Sequence, residues 1–364
     1  MTQLSRRSFT AAAASIAVTG YIGGTLAQAS DKITIGLGIP LTVTDGSIYA
    51  IADELGLFKE EGLQIETIVL SGAGTIMPQV LQKQITLGLP LPEAVLSAHK
   101  TNEPPLPVTF VYNANPYNSL ELAVLASSNI GRIEDLRGGK IGVGALTWGT
   151  IPQTRALLRK AGLEPGRDAS IVAVGVLGSG FHALREGTVQ ALNFNSTWND
   201  LLELEGTKVR RLPYPPTFKK TIANAFVAHR DVLAAKPELF ARFGRAYAKA
   251  VVATDANPRA AVEAFWRRNP QARPSQGDPA KALADNIAIL KRRFELIVRD
   301  DTGNTRVSGA FDIGNLRDYV SDMHSYGEFN TADIPLETYF SNALVDDYNR
   351  FDRKALIAKA VALG

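Results

Sequence analysis

The stretch from residue 118 to residue 174 constrains the fold more than any other. An apolar strand is expected over residues 120–126, an acidic helical turn over 133–136 and a second strand over 140–144. The pair Gly138-Gly139 ends the turn. A small polar loop follows, Leu146-Thr147-Trp148-Gly149-Thr150, and then a helix with Pro152 in its first turn, where a missing N–H costs nothing. A strand, a glycine-and-threonine loop and a helix N-terminus leave backbone N–H groups without intrahelical acceptors. Such a corner suits an anionic or polar group.

The chain upstream repeats this layout. Residues 32–39 (KITIGLGI) alternate as a strand, and Asp45 or Ser47 is placed to cap the helix that carries Ile48, Ile51, Leu55 and Phe58. Gly62 stops that helix, and residues 63–70 form the next strand. Ser71-Gly72-Ala73-Gly74 is a small-residue loop before another helix, and strands over 85–89 and 107–112 complete the first half. Strand and helix alternation argues for an α/β fold with mainly parallel sheets covered on both faces. Downstream, strands are expected over 170–174 and 189–195, with 209–212 and 225–229 closing the second half. Beyond Lys236 the pattern turns to long, alanine-rich amphipathic helices, read as packing back on the first half.

A chain of 364 residues is long enough for two lobes with real cores. Its boundaries read as 1–29 (an export signal), 30–117 (first lobe), 118–229 (second lobe) and 230–364 (return to the first lobe and C-terminal helices). Ser5-Arg6-Arg7-Ser8-Phe9 resembles a twin-arginine signal, and Ala27-Gln28-Ala29 is a small-x-small cleavage triplet. Net charge is +3, and losing Arg6 and Arg7 with the signal leaves +1, which gives no electrostatic case for nucleic acid. Cysteine is absent, which excludes disulfides, iron–sulfur clusters and cysteine nucleophiles. His99, His182, His229 and His324 are far apart and lack metal-ligand spacing, so neither metal nor cofactor is expected.

Four blocks carry a family resemblance. Residues 52–63 (ADELGLFKEEGL) resemble the glycine-leucine-phenylalanine signature of periplasmic solute-binding proteins of the nitrate/sulfonate/taurine transporter class, which also takes in thiamine-pyrimidine-like members. Residues 133–143 (IEDLRGGKIGV), 181–191 (FHALREGTVQA) and 235–238 (AKPE) are similar to later blocks of that family, with one extra glycine in the first and Gln190 in place of a common aspartate in the second. Nothing beyond residue 270 carries a motif. The resemblance implies a type II periplasmic binding fold: two α/β lobes, a hinge and a helical C-terminal portion. It implies a monomeric, non-enzymatic component of an ABC importer, located in the periplasm, whose partners are a small-molecule ligand and an inner-membrane permease. A sulfonate, taurine or carboxylate leads as ligand. An aromatic or heterocyclic compound is the alternative, a twin-arginine-exported cofactor enzyme is the rival of another class, and a sensory partner remains open.

In open α/β sheets ligands sit outside the carboxyl ends of strands. The candidate ligand-binding residues there are Thr42, Thr44, Asp45, Ser71, Gly72, Gly74, Glu93, Thr147, Trp148, Gly149, Thr150, Asn195 and Trp198. No arginine or lysine is among them, so an anion is expected to rest on helix N-termini and hydroxyls, with Trp148 and Trp198 as flat walls. Asp45 suits the ammonium of a zwitterion such as taurine. Thr150 reads as a helix cap as well. Tyr112, Asn113, Asn115 and Tyr117 lie at the first crossover between lobes.

Overall fold

The computed structural model describes residues 30–363, so the twin-arginine signal read over residues 1–29 lies outside the described residues. Ten strands make two sheets of five. The strands are β1 (Asp31–Leu37), β2 (Leu63–Val69), β3 (Leu87–Leu89), β4 (Val108–Asn113), β5 (Leu120–Leu125), β6 (Lys140–Val143), β7 (Ser170–Ala173), β8 (Ala191–Asn195), β9 (Val209–Leu212) and β10 (Ala225–His229). The first sheet runs β2-β1-β3-β10-β4 and the second β7-β6-β8-β5-β9. Each has three parallel strands, then one antiparallel strand that is the first element after a crossing between sheets. The two sheets are therefore copies of one layout, and each borrows its fourth strand from the chain leaving the other.

This exchange corrects the expected second-lobe boundary at residue 229. Strand β10 pairs with β3 and β4, not with the second sheet. The physical reason is burial. All five of its residues are buried, and the Phe226 ring meets Phe243 edge-on at 4.9 Å inside the first core. The return crossing thus lies between Leu212 and Ala225. At the crossings the Asn115 N–H donates to the Asn224 carbonyl at 3.0 Å, and the Ala223 N–H donates to the Asn115 carbonyl at 2.9 Å. The two connecting segments are tied to each other.

The C-terminal helices do more than cover the first sheet. Helix Pro237–Ala256 buries Phe240, Phe243, Tyr247 and Val251 at three-to-four-residue spacing against the first sheet's core. Asn257 ends it and caps helix Pro258–Arg268, accepting from the Ala260 N–H at 3.1 Å. Helix Pro279–Val298 packs on helices Val43–Glu54, Pro237–Ala256 and Pro258–Arg268 of the first half and on helix Ser196–Leu204 of the second half. Helix Ile313–Ser325 packs on the second half's helices Thr150–Lys160 and Pro216–Lys220. Just after it, Glu328 is buried between Arg155 and Arg159 of Thr150–Lys160. The region therefore packs on both halves, not on the first alone. Among the described residues no helix is long and apolar enough to cross a membrane.

Helix Val43–Glu54 carries one cleft residue and is held close to its neighbour by a missing side chain. A Cβ on Gly46 would stand 2.2 Å from the Phe265 ring. Gly46→Ala is expected to lower stability by about 1–3 kcal/mol through overpacking, read as a lower midpoint in urea with an unchanged slope.

Candidate functional site

A cavity of about 100 Å³ lies between the two sheets. Strands β1, β3 and β8 deliver their last residues, Leu37, Leu89 and Asn195, to its wall. Four helices begin there. Asp45 is in the first turn of Val43–Glu54; Gly72 and Ala73 start Ala73–Leu81; Gly149 and Thr150 start Thr150–Lys160; Asn195 and Thr197 start Ser196–Leu204. Each N-terminus carries roughly half a positive charge and N–H groups without intrahelical acceptors. Four of them converging make the cavity electropositive before any side chain is counted.

One side chain adds a full charge. Arg293, on helix Pro279–Val298, is only 5% exposed and lines the cavity. Its Nη2 donates to Asn115 Oδ1 at 2.7 Å, whereas its buried Nη1 has no partner. Burial pushes the guanidinium pKa down, and Asp45, Tyr247 and Glu121 offset part of that. A guanidinium keeps its proton at working pH, so a charged donor lies buried and unpaired on a residue of the cavity wall. Thr150 adds a neutral group: its Oγ1 is buried without a partner. Thr150 is the first helical residue, with Gly149 at the cap position, so its hydroxyl is not consumed in capping as the sequence suggested. Asp45 reaches the same wall, its carboxylate accepting only from Thr44 Oγ1, at 3.4 Å, among the described residues. Neither Asp45 nor Ser47 caps its helix, which starts earlier, at Val43.

Much of the rest of the wall is apolar. Leu37, Ile39, Leu41, Ile76, Leu91 and Leu120 line it with Trp148. Trp148 is wedged between the halves. A Cβ on Gly72, whose φ of +84° also favours glycine, would stand 2.4 Å from its Cδ1. Its ring meets Trp198 at 5.9 Å, and Trp198 meets Phe194 edge-on at 4.9 Å.

Six of the sequence-predicted residues share the cavity wall: Asp45, Gly72, Trp148, Gly149, Thr150 and Asn195. The other seven do not line it. Thr42 sits at the cap position of its helix. Thr44 Oγ1 lies 3.2 Å from Thr197 Oγ1 across the cleft. Thr147 Oγ1 donates to the Ser71 carbonyl at 2.6 Å, and the Gly74 N–H donates to the Thr147 carbonyl at 3.2 Å. These contacts close the cleft at two edges. Trp198 is fully buried behind Trp148, as a support. Glu93 is fully buried behind the wall formed by Pro90 and Leu91, where the Tyr319 hydroxyl donates to its Oε1 at 2.5 Å.

The expectation of an arginine-free site is overturned by Arg293. Its signal was present in the sequence. It falls on the buried stripe Ile289, Leu290, Arg293, Phe294, Ile297 of an amphipathic helix, where a charge has no reason to be unless it meets a partner. Ser119 and Asn224, at the crossings, also line the cavity and carry no sequence signal.

A family model described as NMT1/THI5 like matches residues 44–261. No curated protein matches the chain. Among solved structures, a protein from Bordetella bronchiseptica RB50 is 18% identical, with a TM-score of 0.67 over 89% of this chain and 98% of that one. The alkanesulfonate-binding protein SsuA from Xanthomonas axonopodis pv. citri, bound to MOPS, is 13% identical, with a TM-score of 0.60 over 85% and 98%. The periplasmic nitrate-binding protein NrtA from Synechocystis PCC 6803 is 14% identical, with a TM-score of 0.60 over 91% and 88%. At such identities the likeness is one of fold: two α/β sheets facing a cleft.

Glu93 gives the cleft wall a pH dependence. Burial pushes its carboxyl up to about 7, against the Tyr319 hydrogen bond. A raised carboxyl pKa makes the native state hold its proton more tightly than the unfolded chain. That stabilisation is complete below the ordinary value of 4.5, wears away as pH rises and is gone once pH passes about 7. Relative to Glu93→Gln, the natural protein is expected to lose on the order of 3 kcal/mol across that window, measured by urea unfolding at a series of pH values.

Proposed function

Since the chain belongs to the NMT1/THI5-like family and has the fold of periplasmic binding proteins, we propose that it is an exported solute-binding protein of an ABC importer. It captures one small organic anion in the cleft and works as a binding protein rather than an enzyme. The observation that carries this reading is the unpartnered, buried Nη1 of Arg293 in a cavity where four helices begin. An unpaired donor of that kind is costly to leave empty, and a sulfonate or carboxylate oxygen satisfies it. Thr150 Oγ1 and the N–H groups of its helix complete the oxyanion contacts. Asp45 supplies a countercharge for a ligand that also carries an ammonium, such as taurine. Trp148 and the leucines favour a ligand with an apolar or flat body, which also accommodates an aromatic acid.

Transport follows from differential binding. The contacts between Thr147 and the Ser71–Gly74 loop, and between Thr44 and Thr197, cross the cleft, so opening it would break them. A ligand touching both halves shifts the population toward that state by the free energy of the second set of contacts. The permease then meets the closed form.

The test is a thermal-shift screen of residues 30–364 against small sulfonates, amino sulfonates, carboxylates, aromatic acids, pyrimidines and flavins. A ligand at about 100 times its dissociation constant adds about 2.7 kcal/mol to stability. Stabilisation by an organic anion is expected, together with its loss in Arg293→Gln. Stabilisation by neutral compounds alone, unchanged in that variant, contradicts the reading. In the same assay Trp148→Ala is expected to weaken binding by about 1–3 kcal/mol; unchanged affinity removes Trp148 from the contact surface.

A further inference from the structure

Arg293 has a neighbour that the cleft does not use. Arg292 points from the same helix, Pro279–Val298, toward the second sheet, where its Nη2 pairs with Glu121 Oε1 at 2.5 Å and its Nη1 pairs with Asp200. Glu121 is on β5 and Asp200 on helix Ser196–Leu204, so both acids belong to the second half. Their side chains are only 18% and 13% exposed. The second half supplies one cation of its own to them: Arg211 of β9 bonds Glu121 at 2.8 Å, Asp200 at 2.6 Å and the more exposed Glu203 at 2.7 Å. Without Arg292, three carboxylates share one guanidinium, and two of them are largely removed from water. Burial already pushes the Asp200 pKa up, against the pull of both arginines. An acidic pair so arranged is incomplete until a cation arrives from outside the second half.

Helix Pro279–Val298 packs mainly on the first half's helices and also meets helix Ser196–Leu204 of the second half. Its two consecutive arginines therefore reach two different places. Arg293 joins the cavity and Asn115, the residue where the connecting segments are tied together, and Arg292 joins the second half. We infer that Arg292 is a positioning residue: an ionic clasp that holds the cleft closed and keeps Arg293 extended into it, without touching ligand. The clasp extends the solute-binding reading by assigning the closing force, but its test needs no ligand, so a failed ligand screen and a failed clasp give separate results.

The chain contains no cysteine, so Lys59→Cys and Glu186→Cys, exposed positions on the first and second halves, carry spin labels without background. Pulsed electron–electron resonance on the labelled mature protein reads the separation of the halves directly. Arg292→Gln is expected to shift the distances toward longer values. Arg292→Lys, which keeps the charge, is expected to return most of the closed population. Raising salt from about 0.05 M to about 0.5 M is expected to move the natural protein toward the Gln variant's distribution, because partly exposed charges are screened. The inference is overturned if the Gln variant keeps the natural distribution. It is equally overturned if Gln and Lys open the cleft alike with no response of the natural protein to salt, since that pattern reports lost packing rather than a lost charge.

Discussion

The structure turns on a charge placed where water is scarce. Arg293 is almost wholly buried, yet only one end of its guanidinium is satisfied, by Asn115. A buried charge left half-paired normally destabilises a protein, and such sites persist where a partner is meant to arrive. The surroundings fit that reading. Helix N-termini, whose dipoles repel a cation and attract an anion, face the same space. Asp45, on the same wall, offsets part of the cost of a cation among helix N-termini. Under the proposed reading an anionic ligand offsets more of it.

The sheet exchange fixes how the two halves are joined. Because β5 and β10 each begin just after a crossing and lie inside the opposite sheet, the connecting segments are pinned at both ends by full ladders. The connecting segments run between these ladders, and Asn115, Ser119 and Asn224 on them line the cavity. Under the proposed reading, a ligand in this cavity lies beside the connecting segments. The C-terminal helices add connections on both sides, through Arg292 to the second sheet and through Glu328 to Arg155 and Arg159.

Much of this was legible in the sequence. The strand–loop–helix corners that place Gly72, Gly149, Thr150 and Asn195 were readable because period, turn residues and helix starts are local signals. The two-sheet class followed from alternation. What failed was non-local. Whether β10 closes the second sheet or fills the first depends on which core Phe226 finds, and its sequence is equally apolar for either. Glu93 looked like a cleft residue because it follows the right strand. Two prolines turn the chain so that it points into the core behind the wall instead. Arg293 lies beyond the residues that match the family model, among many exposed arginines, and only its place on an apolar stripe distinguishes it.

The most direct test of the central claim is a crystal structure of residues 30–364 grown with the tightest-binding organic anion. The account places an oxygen of that anion within hydrogen-bond distance of Arg293 Nη1 and of Thr150 Oγ1, with Trp148 against the ligand's body. An anion seated elsewhere in the cleft, with Arg293 Nη1 still unpaired or turned toward another protein group, would contradict it.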